Sequence, residues 1–271
     1  MTDHFGYAGN ILRVDLSSGT VSSTLTKKYV DGLLGGRGIG TKIYWDEVTP
    51  EVSAFDPENR LIFVTGPATG IPPAGSRTQI YGKSPARIPE GFCYSNFGGS
   101  WGAQLKFAGF DGLIVQGKSE RPVYLMIQDG TAEIRDASAL WGKGTVEVRE
   151  ALKSELGRNV RVIATGPAGE NGVVFANLLA DEDASGSSGF GAVMGDKKLK
   201  AIAVTGSGKL AVADKDKLRE VTKYVRHLLG DELRVDPSLE LPPDMKYDTC
   251  FACVGCRLRN LYEAKDGTKG K

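Results

Sequence analysis

Leu61-Ile-Phe-Val-Thr-Gly-Pro-Ala68 and Arg161-Val-Ile-Ala-Thr-Gly-Pro-Ala168 are two versions of one phrase. Each is a short apolar run that ends on Thr-Gly-Pro, as a buried strand does when it enters a turn. The two copies lie 100 positions apart. A second pair, Gly99-Ser-Trp-Gly-Ala-Gln-Leu105 and Ser188-Gly-Phe-Gly-Ala-Val-Met194, lies 89 apart. At that offset Leu113, Val115 and Gly117 fall on Ile202, Val204 and Gly206.

Working outward, the same order of elements surrounds both copies. Ile11–Leu16 and Val21–Leu25, joined through Gly19, form a hairpin pattern, as do Val123–Ile127 and Ala132–Ile134, joined through Gly130. Tyr29 to Val48 suits a helix interrupted by Leu34-Gly-Gly-Arg-Gly-Ile-Gly40, and Val146 to Leu156 an amphipathic helix. Thr78–Tyr81, Gly91–Tyr94 and Leu113–Val115 read as further strands. Residues 11–119 and 123–208 are therefore two copies of one unit. Two copies are too few for a solenoid. They predict an α+β fold in which two β-sheets are related by a pseudo-two-fold axis, with a glycine-lined seam between them. Such a seam suits an elongated, roughly symmetric ligand; the alternative is an old duplication whose glycines only make turns.

Composition changes after about Lys209. Residues 1–208 read as one domain. Residues 209–271 read as the start of a helical one, with Asp214 capping a helix whose apolar face is Leu218, Val221, Tyr224, Val225 and Leu228. Leu241-Pro-Pro243 breaks the pattern.

The chain of 271 residues has 34 Lys and Arg against 33 Asp and Glu, which removes the electrostatic case for nucleic acid or an anionic membrane. No apolar run approaches the roughly 20 residues a membrane helix needs. The start, Met1-Thr-Asp-His-Phe5, lacks the form of a signal peptide, so the cytoplasm is the expected compartment.

Chemistry concentrates in Cys250-Phe-Ala-Cys253-Val-Gly-Cys256. This spacing is that of cubane iron–sulfur ligation, which takes a fourth ligand from elsewhere. Zinc is the rival, but its sites usually pair two such units or use histidine. The histidines here are His4 and His227. Cys93, between Phe92 and Tyr94, reads as core, so the fourth ligand is expected from outside the chain. Gly98–Gly102 and Gly186–Gly191 occupy equivalent places in the repeats. Exposed N–H groups in such loops can cradle phosphate. A dinucleotide loop at Gly189-Phe-Gly191 does not fit, because strand Ala201–Val204 follows too soon for a crossover helix. Arg77 is a candidate phosphate partner through its two-pronged guanidinium, and Lys83-Ser-Pro85 a weaker one.

Read together, these segments resemble the aldehyde ferredoxin oxidoreductase family. The motifs that agree, in order, are Gly35-Gly-Arg-Gly38, Thr65-Gly-Pro67, Gly75-Ser-Arg77, Lys83-Ser-Pro85, Asn96-Phe-Gly-Gly99, Gln104 to Asp111, Glu133-Ile-Arg-Asp-Ala137, Gly166-Pro-Ala-Gly-Glu170, Gly191-Ala-Val-Met-Gly195 and Leu199-Lys-Ala-Ile202. The resemblance runs from about Gly6 to Cys256. It implies that the two-sheet domain is a base for tungstopterin, a tungsten ion held by two pyranopterins; molybdenum is chemically possible too. It implies magnesium bridging the pterin phosphates through the main-chain carbonyls of Asn96 and Ala184. It implies cofactor contacts at Arg77, Asn96, Gly98, Ala184, Ser185 and Gly186, and three ligands of a [4Fe–4S] cluster at Cys250, Cys253 and Cys256.

The implied reaction is oxidation of an aldehyde to a carboxylate, with electrons passed through the cluster to ferredoxin or a similar iron–sulfur carrier. The resemblance places the remaining ligands and acid/base groups in a missing carboxy-terminal part or a partner subunit, within an oligomer. No residue here is assigned as catalytic acid or base.

Two features depart from the family pattern. The second cysteine gap is two residues where three is common. Asp183-Ala-Ser-Gly-Ser-Ser-Gly189 stands where aldehyde oxidoreductases carry an Arg-Ala-Ala-Gly-Arg-Gly-Gly loop. The alternatives are a reductase subunit acting on an aromatic acyl thioester, like the class II benzoyl-CoA reductases, a non-catalytic cofactor-binding module, and a zinc-binding interaction protein.

Overall fold

A computed structural model describes residues 5–73, 75–181, 184–232, 250–253, 262–263, 267 and 269–270, with the backbone alone at 229–232, 262–263 and 269–270. The first repeat contains β1 (Asn10–Asp15), β2 (Thr20–Leu25), a single turn α1 (Lys27–Val30), α2 (Gly36–Glu47), β3 (Leu61–Thr65), β4 (Thr78–Ser84), β5 (Gly91–Phe97), α3 (Trp101–Phe107) and β6 (Phe110–Gln116). The second contains β7 (Val123–Gln128), β8 (Thr131–Asp136), α4 (Thr145–Leu156), β9 (Arg161–Thr165), the turn α5 (Pro167–Glu170), β10 (Leu178–Leu179), β11 (Ser185–Gly186), α6 (Phe190–Asp196) and β12 (Leu199–Thr205). Helix α7 (Lys215–Glu232) follows.

The sheets have one topology. The first runs β2-β1-β6-β3-β4-β5 and the second β8-β7-β12-β9-β10-β11. In each, one central pair is parallel, β1 with β6 and β7 with β12, and the other neighbours are antiparallel. Even the irregularities agree. The parallel register skips Asp111 in β6 and Lys200 in β12, which are 89 positions apart. The duplication read from the sequence is thus present strand by strand.

Alternation along the central strands divides the apolar residues into three clusters. Leu61, Phe63, Leu113 and Val115 from one sheet join Ile163, Ile202 and Val204 from the other in a shared core. Ile62, Val64 and Ile114 face α2 on the outside of the first sheet. Val162, Ala201 and Ala203 face α4 on the outside of the second. The central strands are covered on both faces, so they read as unbroken apolar runs. Helices α3 and α6 cross into the opposite repeat. The indole Nε1–H of Trp101 donates to the Ile202 carbonyl at 3.2 Å. Phe190, 89 positions on, packs at Gly82 of β4.

Three expectations need correction. The interrupted helix over 29–48 is the turn α1 and the separate helix α2, parted where Gly35 takes a φ of 137°. Gly102 and Gly191 are not in loops; they lie in α3 and α6. Both helices are buried nearly all round, so they lack the polar face by which a helix is read from sequence. Lys83 is turned inward, with its Nζ on the Pro50 carbonyl at 2.6 Å, and does not serve as a surface phosphate partner.

Helix α7 forms where its periodicity predicts. The Asp214 carboxylate accepts the N–H groups of Asp216 and Lys217 at 3.0 and 2.8 Å. Its apolar stripe is uncovered among the described residues: Val221, Tyr224 and Leu228 are all exposed. No helix among the described residues is long and apolar enough to cross a membrane.

Candidate cofactor site

The edge strands β5 and β11 meet at the seam between the repeats. The Ser187 N–H donates to Ser95 Oγ at 2.9 Å, and the two serine hydroxyls lie 3.1 Å apart. The Ser188 hydroxyl donates to the Tyr94 carbonyl and the Ser84 hydroxyl to the Ser188 carbonyl. Gly186 lies against Ile80 and Phe97, with a Cβ position only 2.9 Å from Ile80 Cδ1. A side chain there would force the two edges apart.

Along β5, Ser95 and Phe97 point into the core, while Tyr94 and Asn96 lie on an exposed strip. Arg77, also exposed, donates from its guanidinium to Asn96 Oδ1 at 3.2 Å. Gly98 closes the strip. A Cβ on it would lie 2.6 Å from the Cys250 sulfur and 3.9 Å from an Arg77 guanidinium nitrogen. Arg77, Asn96, Gly98 and Cys250, scattered over more than 170 positions of sequence, therefore share one small surface. Across the seam, Ser185 and Gly186 pair with Leu179 and Leu178, and the Ala184 carbonyl accepts the Ala180 N–H at 2.7 Å. A carbonyl oxygen has two lone pairs, so one remains for a cation.

The cysteine turn is built for close approach. The Cys253 N–H donates to the Cys250 carbonyl at 3.0 Å, and Ala252 takes a φ of 53° to close the turn. Two contacts seat it on the first repeat: Phe251 N–H donates to the Gly99 carbonyl at 3.2 Å, and the Phe251 ring meets Phe107 edge-on at 5.6 Å. Cys256 and Asp183 lie outside the described residues. Among the described residues no three His, Cys, Asp or Glu side chains converge as a metal site. Cys93 packs against the shared core, as its sequence setting suggests. Of the zinc candidates, His4 lies outside the described residues and His227 is exposed on α7.

Buried charges support the site from below. Asp111 accepts the N–H groups of Ala8 and Gly9 and the Thr26 hydroxyl, and faces Lys106 Nζ at 3.3 Å. Burial lowers the Lys106 pKa, and Asp111 opposes that shift. Lys106 also donates to the carbonyls of Gly6 and Gly66, which ties the chain start to the turn after β3. On the other side, Asp181 pairs with Lys153 of α4 and accepts the Val162 N–H, which anchors the turn leading into β11. Sequence reasoning marked Ser187 only as part of a departure from the family loop and did not single out Ser95 or Phe251, because a small polar residue and a lone aromatic carry no spacing signal.

The residues present fit the group that the resemblance implies. A guanidinium, an amide and a backbone with no Cβ surround a place where the Cys250 thiol comes down onto glycine. This arrangement defines a class, the two-sheet amino-terminal domain of a redox metalloenzyme. The family model for the aldehyde ferredoxin oxidoreductase N-terminal domain matches residues 11–206. The tungsten-containing aldehyde ferredoxin oxidoreductase of Pyrococcus abyssi is 46% identical over 237 residues, which cover 86% of this chain and 38% of that protein. The protein of the same name from Pyrococcus furiosus is 43% identical over 277 residues, covering 98% of this chain and 44% of that protein. Among solved structures, the active site complex BamBC of benzoyl coenzyme A reductase with 1,5-dienoyl-CoA contains a chain with a TM-score of 0.81 and 38% identity. The match covers 89% of this chain and 37% of that one. The chain belongs to the aldehyde ferredoxin oxidoreductase family. It spans 38% and 44% of the length of the two curated relatives.

Proposed function

We propose that this chain is the cofactor base of a tungsten- or molybdenum-dependent bis-pyranopterin oxidoreductase that oxidises aldehydes to carboxylates and delivers the electrons to ferredoxin. The observation that carries this is the placement of the Cys250 sulfur on Gly98, beside the Arg77–Asn96 pair. On this reading a site for pterin phosphate and a site for an iron–sulfur cluster are neighbours, as electron transfer between them requires. When bound, the dithiolene-held metal supplies two-electron redox chemistry at the substrate carbon. Arg77 offers paired N–H donors to phosphate oxygens. Asn96 holds that guanidinium in place through its amide oxygen, and the carbonyls of Asn96 and Ala184 would hold magnesium. Gly98 keeps the backbone low enough for cofactor and thiol to share the surface. Cys250, Cys253 and Cys256 supply three thiolates to a [4Fe–4S] cluster, whose fourth ligand comes from beyond these residues. The substrate-selecting and acid/base groups lie outside this stretch.

A second reading has its own support. The chain from the benzoyl coenzyme A reductase complex is 38% identical, with a TM-score of 0.81 over 89% of this chain. Asp183 and Ser187, which stand where the aldehyde enzymes carry the two arginines of the matching loop, fit a branch with a different substrate.

Metal analysis of the full-length protein made anaerobically tests both readings. Tungsten or molybdenum near one per polypeptide, with about four irons and a reducible cluster signal in EPR, is the expected result. Stoichiometric zinc without tungsten or molybdenum overturns them. Aldehyde-dependent ferredoxin reduction then supports the first reading, and activity only with an aromatic acyl thioester the second.

A further inference from the structure

The exposed strip of β5 carries a second organised cation. Arg37, in the first turn of α2, lies with its guanidinium carbon 4.6 Å from the centre of the Tyr94 ring. Tyr94 and Asn96 are two apart on one strand, so they share a face with Cα atoms roughly 7 Å from each other. One holds Arg37 and the other holds Arg77.

The manner of holding matters. Elsewhere on this sheet arginines are neutralised: Arg13 and Arg60 both pair with Glu47. Arg37 and Arg77 form no ion pair among the described residues, and both are fixed by neutral groups, an aromatic face and an amide oxygen. Stacking occupies the face of a guanidinium and leaves its in-plane N–H donors free for oxygens. Two like charges have been brought to one strip and steadied there with no carboxylate paired to either among the described residues. An anion between them would relieve their repulsion.

We propose that Arg37 is an anion-binding residue that forms, with Arg77, a two-arginine clamp for a phosphoryl group lying over Tyr94 and Asn96. The clamp rests on the reading of this strip as the cofactor seat. A phosphoryl group held by both side chains would take charge-assisted hydrogen bonds of roughly 2.7–2.9 Å from each. The clamp also supplies on this side of the seam a positive charge that Ser187, standing where the aldehyde enzymes carry an arginine, does not supply on the other. The phosphoryl group can belong to the resident cofactor or to a phosphate-bearing thioester substrate, and the two sources separate experimentally.

Arg37→Ala, Arg37→Lys and Arg77→Ala are made in the full-length holoenzyme, produced anaerobically. Tungsten, molybdenum and iron per polypeptide are measured, with the thermal midpoint. KM is measured for a phosphate-free aldehyde and for a coenzyme A thioester. If the group is the cofactor's, Arg37→Ala lowers tungsten or molybdenum occupancy while iron and the thermal midpoint hold, and Arg37→Lys restores part of it. If it is the substrate's, metal content holds and KM for the thioester alone rises, by roughly tenfold or more for a lost charged hydrogen bond. Arg37→Ala equal to wild type in metal content and in both KM values overturns the clamp and leaves the function intact. Wild-type protein without tungsten or molybdenum overturns the cofactor seat itself.

Discussion

Gly98→Ala is the sharpest perturbation of the site. The backbone of Gly98 is not left-handed, so alanine is allowed there. The whole effect must come from what the new methyl meets. Its carbon would lie 2.6 Å from the Cys250 sulfur, closer than real Cβ atoms approach, and something has to move. Overpacking of this kind costs about 1–3 kcal/mol if the surroundings stay put. The strip is part of the β4–β5 ladder and is rigid. The cysteine turn is held by the Phe251–Gly99 hydrogen bond, worth about 1 kcal/mol, and by the Phe251–Phe107 ring contact, worth about 0.5–1.5 kcal/mol. The holding contacts and the clash are of the same size, so the turn lifts and the sheet does not. The thermal midpoint of the two-sheet domain should therefore move by less than about 4 °C, the shift expected of 1 kcal/mol in a domain this size. Iron and sulfide content of the full-length protein should fall, or the EPR signal of the reduced cluster should change shape. Full iron content with an unaltered signal would refute the contact between Cys250 and Gly98, and with it the shared surface.

Other predictions test the scaffold. Asp111→Asn leaves Lys106 buried without its counter-charge and turns an amide N–H toward the N–H groups of Ala8 and Gly9, so urea unfolding should show a loss of about 3–5 kcal/mol. Gly40→Ala places a methyl 2.2 Å from the Tyr81 ring beneath α2; it should cost about 1–3 kcal/mol, part of which Tyr81→Leu recovers in the double variant. Lys197, donating to the carbonyls of Pro57 and Gly117, has its pKa pushed down from 10.5 to about 8, mainly by burial. The unfolded chain then binds more protons than the folded one between those values, so this residue makes stability rise with pH from about 8 to 10.5. The effect is about 3 kcal/mol across the window, and a urea midpoint series in which Lys197→Met keeps the wild-type slope would count against it.

How much of this was readable in advance depended on which force fixed each residue. The duplicated strands were legible because the strand cores, Leu61–Val64 and Val162–Ala164, are covered on both faces and are apolar throughout. Arg77 and Asn96 could be named from motifs, but their 3.2 Å contact depends on the β4–β5 register, in which Gln79 lies opposite Asn96. Helices α3 and α6 were hidden because full burial erased their periodicity. The role of Arg37 was hidden for another reason. The motif Gly35-Gly-Arg-Gly38 was visible, but nothing local says that its arginine reaches Tyr94, 57 positions away.

The duplication also explains why the seat lies where it does. Where the repeats match, geometry has been kept and chemistry has not: the skipped position in the parallel register is Asp111 in one half and Lys200 in the other. Each is buried and each anchors its own half. Asp111 holds the chain start, and Lys200 holds Glu170 and the Lys143 carbonyl. The halves diverge most at the edges that meet. Strand β5 has seven residues and β11 only two. A sheet edge presents N–H and C=O groups that demand partners, and two equal edges would satisfy each other in a continuous ladder. Unequal edges cannot. The contacts made there instead run through serines, Ser187 to Ser95, Ser188 to the Tyr94 carbonyl and Ser84 to the Ser188 carbonyl, and Tyr94 and Asn96 of β5 stay exposed. The two arginines and the glycine that admits Cys250 stand along that uncovered length. Shortening one edge of a symmetric pair is thus a sufficient physical route from an old duplication to a polar, cation-flanked seat.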